Sequence, residues 1–174
     1  MARTVTEARL AVAGLGALLI AGGGLGLVVA LGLVPAAPTD PTSGAAYLPG
    51  LLTRSLAAPY PFALLSGLLA VPLHALWVAL RHGGRAAGAA YDGFALWAQT
   101  LFTSLGFLGT IIGISRAVAG LAPAMAAGAP DALIAGLSTA FDTTFLGLTA
   151  AILLLVFRKL LSLGAEAPAR RAGR

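Results

Sequence analysis

The chain has no cysteine, which excludes disulfides, thiol nucleophiles and cysteine-ligated metal centres together. Charge is scarce as well: Asp, Glu, Lys and Arg make up 10% of the 174 residues, against about 25% in ordinary globular domains. The two histidines, His74 and His82, stand eight residues apart across a helix end and make a poor metal site, so no metal and no cofactor is expected. No nucleophile–base pair and no phosphate-binding loop can be picked out, and the chain does not read as an enzyme.

What fills the sequence instead is apolar. Hydrophobic residues account for 59% of it, gathered into uncharged runs at 10–34, 62–80, 93–115 and 132–157, the last interrupted only by Asp142. About 20 apolar residues cross a bilayer. The expected fold is therefore an all-α membrane protein of four transmembrane helices, with spans at about 10–34, 62–80, 95–117 and 133–157. These lie in a single membrane domain, 1–164, followed by a basic tail, 165–174.

The net charge of +5 is arranged by topology. Arg3 and Arg9 precede the first span, Arg81 and Arg85 follow the second, and Arg158, Lys159, Arg170, Arg171 and Arg174 follow the fourth. The other two connections hold Arg54 with Asp40 and Arg116 with Asp131. That alternation puts both termini in the cytoplasm by the positive-inside rule, and it argues against a nucleic-acid partner. Trp77 and Trp97 then fall near the cytoplasmic interface. The Val34-Pro35-Ala36-Ala37 stretch loosely resembles a processing site, but the apolar run before it exceeds the 7–15 residues of a signal core; span one is expected to stay in the membrane.

Along the chain, Gly22 and Gly26 form a small-xxx-small pair suited to close helix approach. Residues 35–61 read as an irregular external connection with a short interfacial helix at 48–56. Pro72 is expected to kink the second span, and His74 to hydrogen-bond a neighbouring helix rather than relay protons. Residues 81–92 form a short basic connection, too small for a cytoplasmic domain. Pro123, Gly128 and Pro130 mark a turn that folds the last two spans into an antiparallel hairpin, and the tail from Gly164 reads as a mobile end near anionic lipid.

The informative residues lie in that hairpin. A carboxylate near mid-bilayer costs about 2.5–3.5 kcal/mol on insertion scales, and Asp142 sits there among Ser138, Thr139, Thr143, Thr144 and Thr149. At a rise of about 1.5 Å per residue, Thr110 lies roughly 27 Å beyond Asp92, and Thr144 roughly 21 Å from Arg158 on the same side. The two hydroxyls therefore fall at similar depths. At about 100° per residue, Ala140, Thr144, Gly147 and Ala151 share one face of the helix, while Ser138, Asp142, Phe145 and Thr149 share another. Asp142 and Thr144 are thus expected to face different partners. For an isolated threonine the ordinary arrangement is a hydroxyl bonded to its own helix. For Asp142 two readings stand: a carboxyl that only fixes packing, or a titrating group on a proton path.

At LGFLGTIIGI (105–114) and GLSTAFDTTFLGLTAAI (136–152) the chain resembles the MotA/TolQ/ExbB proton-channel family. Gly109, Thr110 and Gly113 fit its GTxxG segment; Gly136, Ala140, Thr144, Gly147 and Leu148 fit its second, G-x-x-x-A-x-x-x-T-x-x-G-L. The resemblance implies a pentameric ring in the bacterial inner membrane around a single-span MotB/TolR/ExbD-like partner that carries a membrane aspartate. Protons would pass between that aspartate and the pore threonines, and proton motive force would become mechanical work. Carried over, Thr110 and Thr144 line the pore with Thr143 and Asp142 beside them, and Gly109, Gly113, Ala140 and Gly147 pack the helices. The chain departs from its relatives in lacking a large cytoplasmic insertion, and Asp142 stands where they usually have an apolar residue. The alternatives are a structural helix-packing membrane protein and a small-ion channel that needs no partner. The process driven is not legible.

Overall fold

The computed structural model describes residues 2–33, 47–82, 84–128 and 130–171, and everything in them folds as five helices and short joints. These are α1 (Ala2–Ala30), α2 (Tyr47–Ala57), α3 (Pro59–His82), α4 (Gly84–Ala127) and α5 (Asp131–Arg171). Four of them are long and apolar enough to cross a membrane. Phe107, Ile111, Val118, Phe141 and Ile152 are exposed on their outer faces, which suits hydrocarbon and not water. The chain is an all-α, multi-pass membrane protein.

Local chemistry sets the ends of the helices. Gly32 takes φ +66° after α1, and the Leu33 amide reaches back to the Val28 carbonyl at 3.0 Å, the bonding of a Schellman stop. Pro59 opens α3, where its missing amide costs nothing. Gly128, at φ +64°, reverses the chain between α4 and α5, and the Ile134 amide bonds Pro130 across the new first turn. Residues 34–46, which hold most of the connection read as irregular, lie outside the described residues; the short helix expected at 48–56 is α2.

The last two helices overrun their expected spans. At 44 and 41 residues they are roughly 66 and 62 Å long, about twice the hydrocarbon thickness. The connection read at 81–92 is helix from Gly84 onward, and α5 continues through the supposed mobile tail to Arg171. Alanine is the reason at the start of α4, where Ala86, Ala87, Ala89 and Ala90 favour helix without needing a membrane. Beyond the apolar spans the two helices stay paired: a Cβ on Gly88 would lie 3.3 Å from the Leu161 carbonyl oxygen, and Arg158 bonds Asp92.

Two cores hold the bundle. Leu10, Val71, Val78, Tyr91, Ala95 and Leu154 join α1, α3, α4 and α5 at the end where α1 begins and α5 leaves. Leu51, Leu64, Leu65 and Leu146 tie α2 to α3 and α5 at the other end. α1 leans on α3 through Ala17, Ala21 and Ala70, and a Cβ on Gly22 would meet Ser66 at 3.5 Å. Gly26, its expected companion, faces open space. His74 meets its expectation in part. It is buried and ringed by Trp77, Tyr91 and Phe94, and neither ring nitrogen is hydrogen-bonded among the described residues. Aromatic rings wall most of the imidazole, and the Leu10 main chain of α1 is the polar group beside it.

Candidate functional site

The α4–α5 contact is the most extensive in the molecule, and small residues make it so. A Cβ on Gly113 would sit 2.5 Å from the Ala140 nitrogen, one on Gly136 2.5 Å from the Ala117 nitrogen, and one on Gly147 2.6 Å from the Phe102 carbonyl oxygen. Each is closer than any real side chain approaches backbone, so the helices touch main chain to main chain along the seam. Gly106 and Gly109 continue it, against Gly147 and Thr143 respectively. Without a hydrophobic drive between helices in lipid, such close approach is what holds them together.

Thr110 and Thr144 meet across this seam, and their hydroxyls are hydrogen-bonded to each other. Each is also placed to donate to its own helix, Thr110 to Gly106 O at 3.1 Å and Thr144 to Ala140 O at 3.0 Å. Three bonds are available to two protons. If Thr110 donates across the seam, Thr144 donates to Ala140; if Thr144 donates across, Thr110 donates to Gly106. The pair thus has two equivalent proton arrangements, interchanged by turning two hydroxyls. Both side chains are only partly buried, so the pair remains within reach of another molecule.

Thr143 and Asp142 are placed differently. Thr143 is fully buried against Gly109, and its hydroxyl bonds Thr139 O at 2.9 Å and Ala140 O at 3.1 Å within its own helix. Asp142 turns away from the seam toward α2. It is 2% exposed, and Arg54 grips it in a two-pronged bond, Nε to Oδ2 at 2.6 Å and Nη2 to Oδ1 at 2.9 Å. That fork is among the stronger pairings available to a carboxylate. It holds the Arg54 guanidinium still more firmly charged, while burial and then the Asp142 charge push the Tyr47 hydroxyl up from its ordinary value. One turn along, Phe145 meets Tyr47 edge to face at 5.6 Å. One face of α5 therefore serves α4, and another serves α2.

Arg54 and Tyr60 escaped the sequence reading. In sequence Arg54 reads only as a topological charge, although a lone acid in a span calls for a cation nearby. Tyr60 donates to the Leu105 carbonyl oxygen at 2.5 Å, pinning α3 to α4 four residues before the GTxxG segment. Nothing in its sequence context marks it.

No curated protein and no solved structure matches the chain. A family match covers residues 91–171, which span α4 from Tyr91 and all of α5, with every residue of the seam inside it. Over these residues, the hairpin with its paired threonines, the chain is similar to the MotA/TolQ/ExbB proton channel family.

Proposed function

We propose that this chain is the stator-type subunit of an inner-membrane motor, passing protons to a single-span partner and converting proton motive force into mechanical work. The observation that carries the reading is the Thr110–Thr144 hydroxyl pair on a glycine seam. A hydroxyl both donates and accepts, so the pair suits a water or a carboxylate that alternately holds and releases a proton. Among the described residues no free carboxylate lies there, since Asp142 is turned to Arg54. The titrating acid would come from the partner helix, a MotB/TolR/ExbD-like subunit with one membrane aspartate. Five copies in a ring around that partner, termini in the cytoplasm and residence in a bacterial inner membrane belong to the same proposal. The distribution of Arg and Lys supports the orientation.

In this reading Thr110 and Thr144 border the proton path, Thr143 supports it from within α5, and Asp142 anchors α2 beside it. The rival reading, a helix-packing protein without conduction, draws on the bonds that each threonine makes to its own helix. The test is Thr144→Val in the complex with its partner, reconstituted in vesicles with a pH gradient. Valine keeps the shape and removes the hydroxyl. Loss of proton uptake with assembly intact supports the path; full uptake returns Thr144 to packing alone.

A further inference from the structure

The glycines that let α4 approach α5 also weaken it. Gly106, Gly109 and Gly113 line the seam within eight residues, and glycine is a poor helix former because it loses the most backbone freedom on folding. Thr110 sits in the middle of that stretch, yet its hydroxyl must arrive within bonding distance of Thr144. The turn that carries it is steadied from outside the hairpin, by Tyr60. This residue stands between Pro59 and Pro61 in the first turn of α3. Each proline ring fixes its own φ at about −65°, and the residue before a proline is restricted as well. Tyr60 packs on the core of Leu51, Leu64, Leu65 and Leu146, which includes α5 two residues past Thr144.

From that rigid base the phenol reaches the main chain of α4. It donates to the Leu105 carbonyl oxygen at 2.5 Å, and the Gly109 main chain lies beside the same phenol oxygen. In an α-helix the carbonyl of residue 105 accepts from the amide of residue 109. The phenol therefore stands at both ends of one helical bond, the last before Thr110. Glycine permits the approach, since a Cβ on Gly109 would lie 2.8 Å from the Tyr60 ring. The next carbonyl, Gly106 O, is the one within reach of the Thr110 hydroxyl. Adjacent carbonyls of a single turn thus face the Tyr60 and Thr110 hydroxyls.

We propose that Tyr60 is the positioning residue of the hydroxyl pair. It acts through the Leu105 carbonyl rather than on either threonine, holding the 105–110 turn of α4 against α5 so that Thr110 arrives at Thr144. Its consequence for proton passage rests on the function proposed above. Its consequence for geometry does not.

The chain has no cysteine, so Thr110→Cys combined with Thr144→Cys supplies its only thiols, and their oxidation by copper phenanthroline to a disulfide reports whether the two positions meet. The rate is followed in the detergent-purified full chain by mass-tagging the remaining thiols. Three changes are made in that background. Tyr60→Phe keeps the ring and removes the donor, and Tyr60→p-aminophenylalanine restores a donor. Tyr91→Phe, the control, removes a hydroxyl that bonds nothing among the described residues. Tyr60→Phe should slow disulfide formation about fivefold, the factor that one ordinary hydrogen bond is worth. The p-aminophenylalanine variant should recover the rate, and Tyr91→Phe should not alter it. With both threonines native, Tyr60→Phe should lower proton uptake by the reconstituted complex, and p-aminophenylalanine should recover it. A disulfide that forms as fast in Tyr60→Phe as in its parent, or a rate that p-aminophenylalanine does not recover, overturns the positioning role whatever the threonines conduct. Full uptake in Tyr60→Phe where Thr144→Val has none overturns it too, and leaves the proton path standing.

Discussion

Asp142 of α5 and Arg54 of α2, 88 residues apart in sequence, form a two-pronged ion pair in which the acid side chain is 3% exposed and the arginine side chain 45%. That inequality gives the pair a direction. Removing the arginine strands a buried charge, whereas removing the acid leaves a cation on the exposed side of the pair.

Arg54→Gln is therefore expected to destabilise the protein more than Asp142→Asn does. Stranding a buried charge costs up to about 3–5 kcal/mol, lowered here because the arginine side chain is nearly half exposed. Combining the two substitutions should recover much of the loss. Thermal unfolding of the four proteins in one detergent measures this as a double-mutant cycle. Equal losses in the two single variants would contradict the asymmetry.

The glycine seam makes a second expectation. Gly113→Val places a side chain where the Ala140 backbone already lies, so the hairpin must separate at a cost of about 1–3 kcal/mol or more. Gly16 and Gly23 have nothing within 4 Å, and alanine at either should be neutral or raise stability by up to about 1 kcal/mol through helix propensity. Unfolding midpoints that failed to separate these two groups would remove the close-contact argument.

The threonines can be told apart by function. Thr110→Val and Thr144→Val should each stop proton uptake by the reconstituted complex. Thr143→Val, whose hydroxyl is enclosed within its own helix, should leave most of it. Each loses a hydrogen bond worth about 1 kcal/mol, so stability alone does not distinguish them. If Thr143→Val proved as damaging as Thr144→Val, the path would have to pass through the buried side of α5.

The Arg158–Asp92 pair offers a contrast with the one at Arg54. Its side chains are 35% and 50% exposed, so Asp92→Asn should cost less than about 1 kcal/mol. About 1 M salt should abolish even that difference, since screening then acts within about 3 Å. Unfolding at low and high ionic strength checks both statements.

Four spans, the hairpin of the last two and the level at which Thr110 and Thr144 meet were legible because each depends on a one-dimensional quantity. Apolar run length measures bilayer thickness, and counting residues along a helix measures depth. Phase was legible too: 100° per residue separated the face of Thr144 from that of Asp142, and the two faces do meet different helices. The overrun of α4 and α5 was not legible, since hydropathy marks where a helix is apolar and says nothing of where an alanine-rich helix stops.

By itself the sequence determined an all-helical membrane chain, and a motif pairing Gly109, Thr110 and Gly113 with Ala140, Thr144 and Gly147. Only the tertiary structure decided that Arg54 holds Asp142, that Tyr60 pins Leu105, and that His74 is buried among Trp77, Tyr91 and Phe94. Periodicity fixes which way a side chain points around its own helix. What it meets depends on how separate helices are rotated and stacked, and that is settled by packing among residues far apart in the chain.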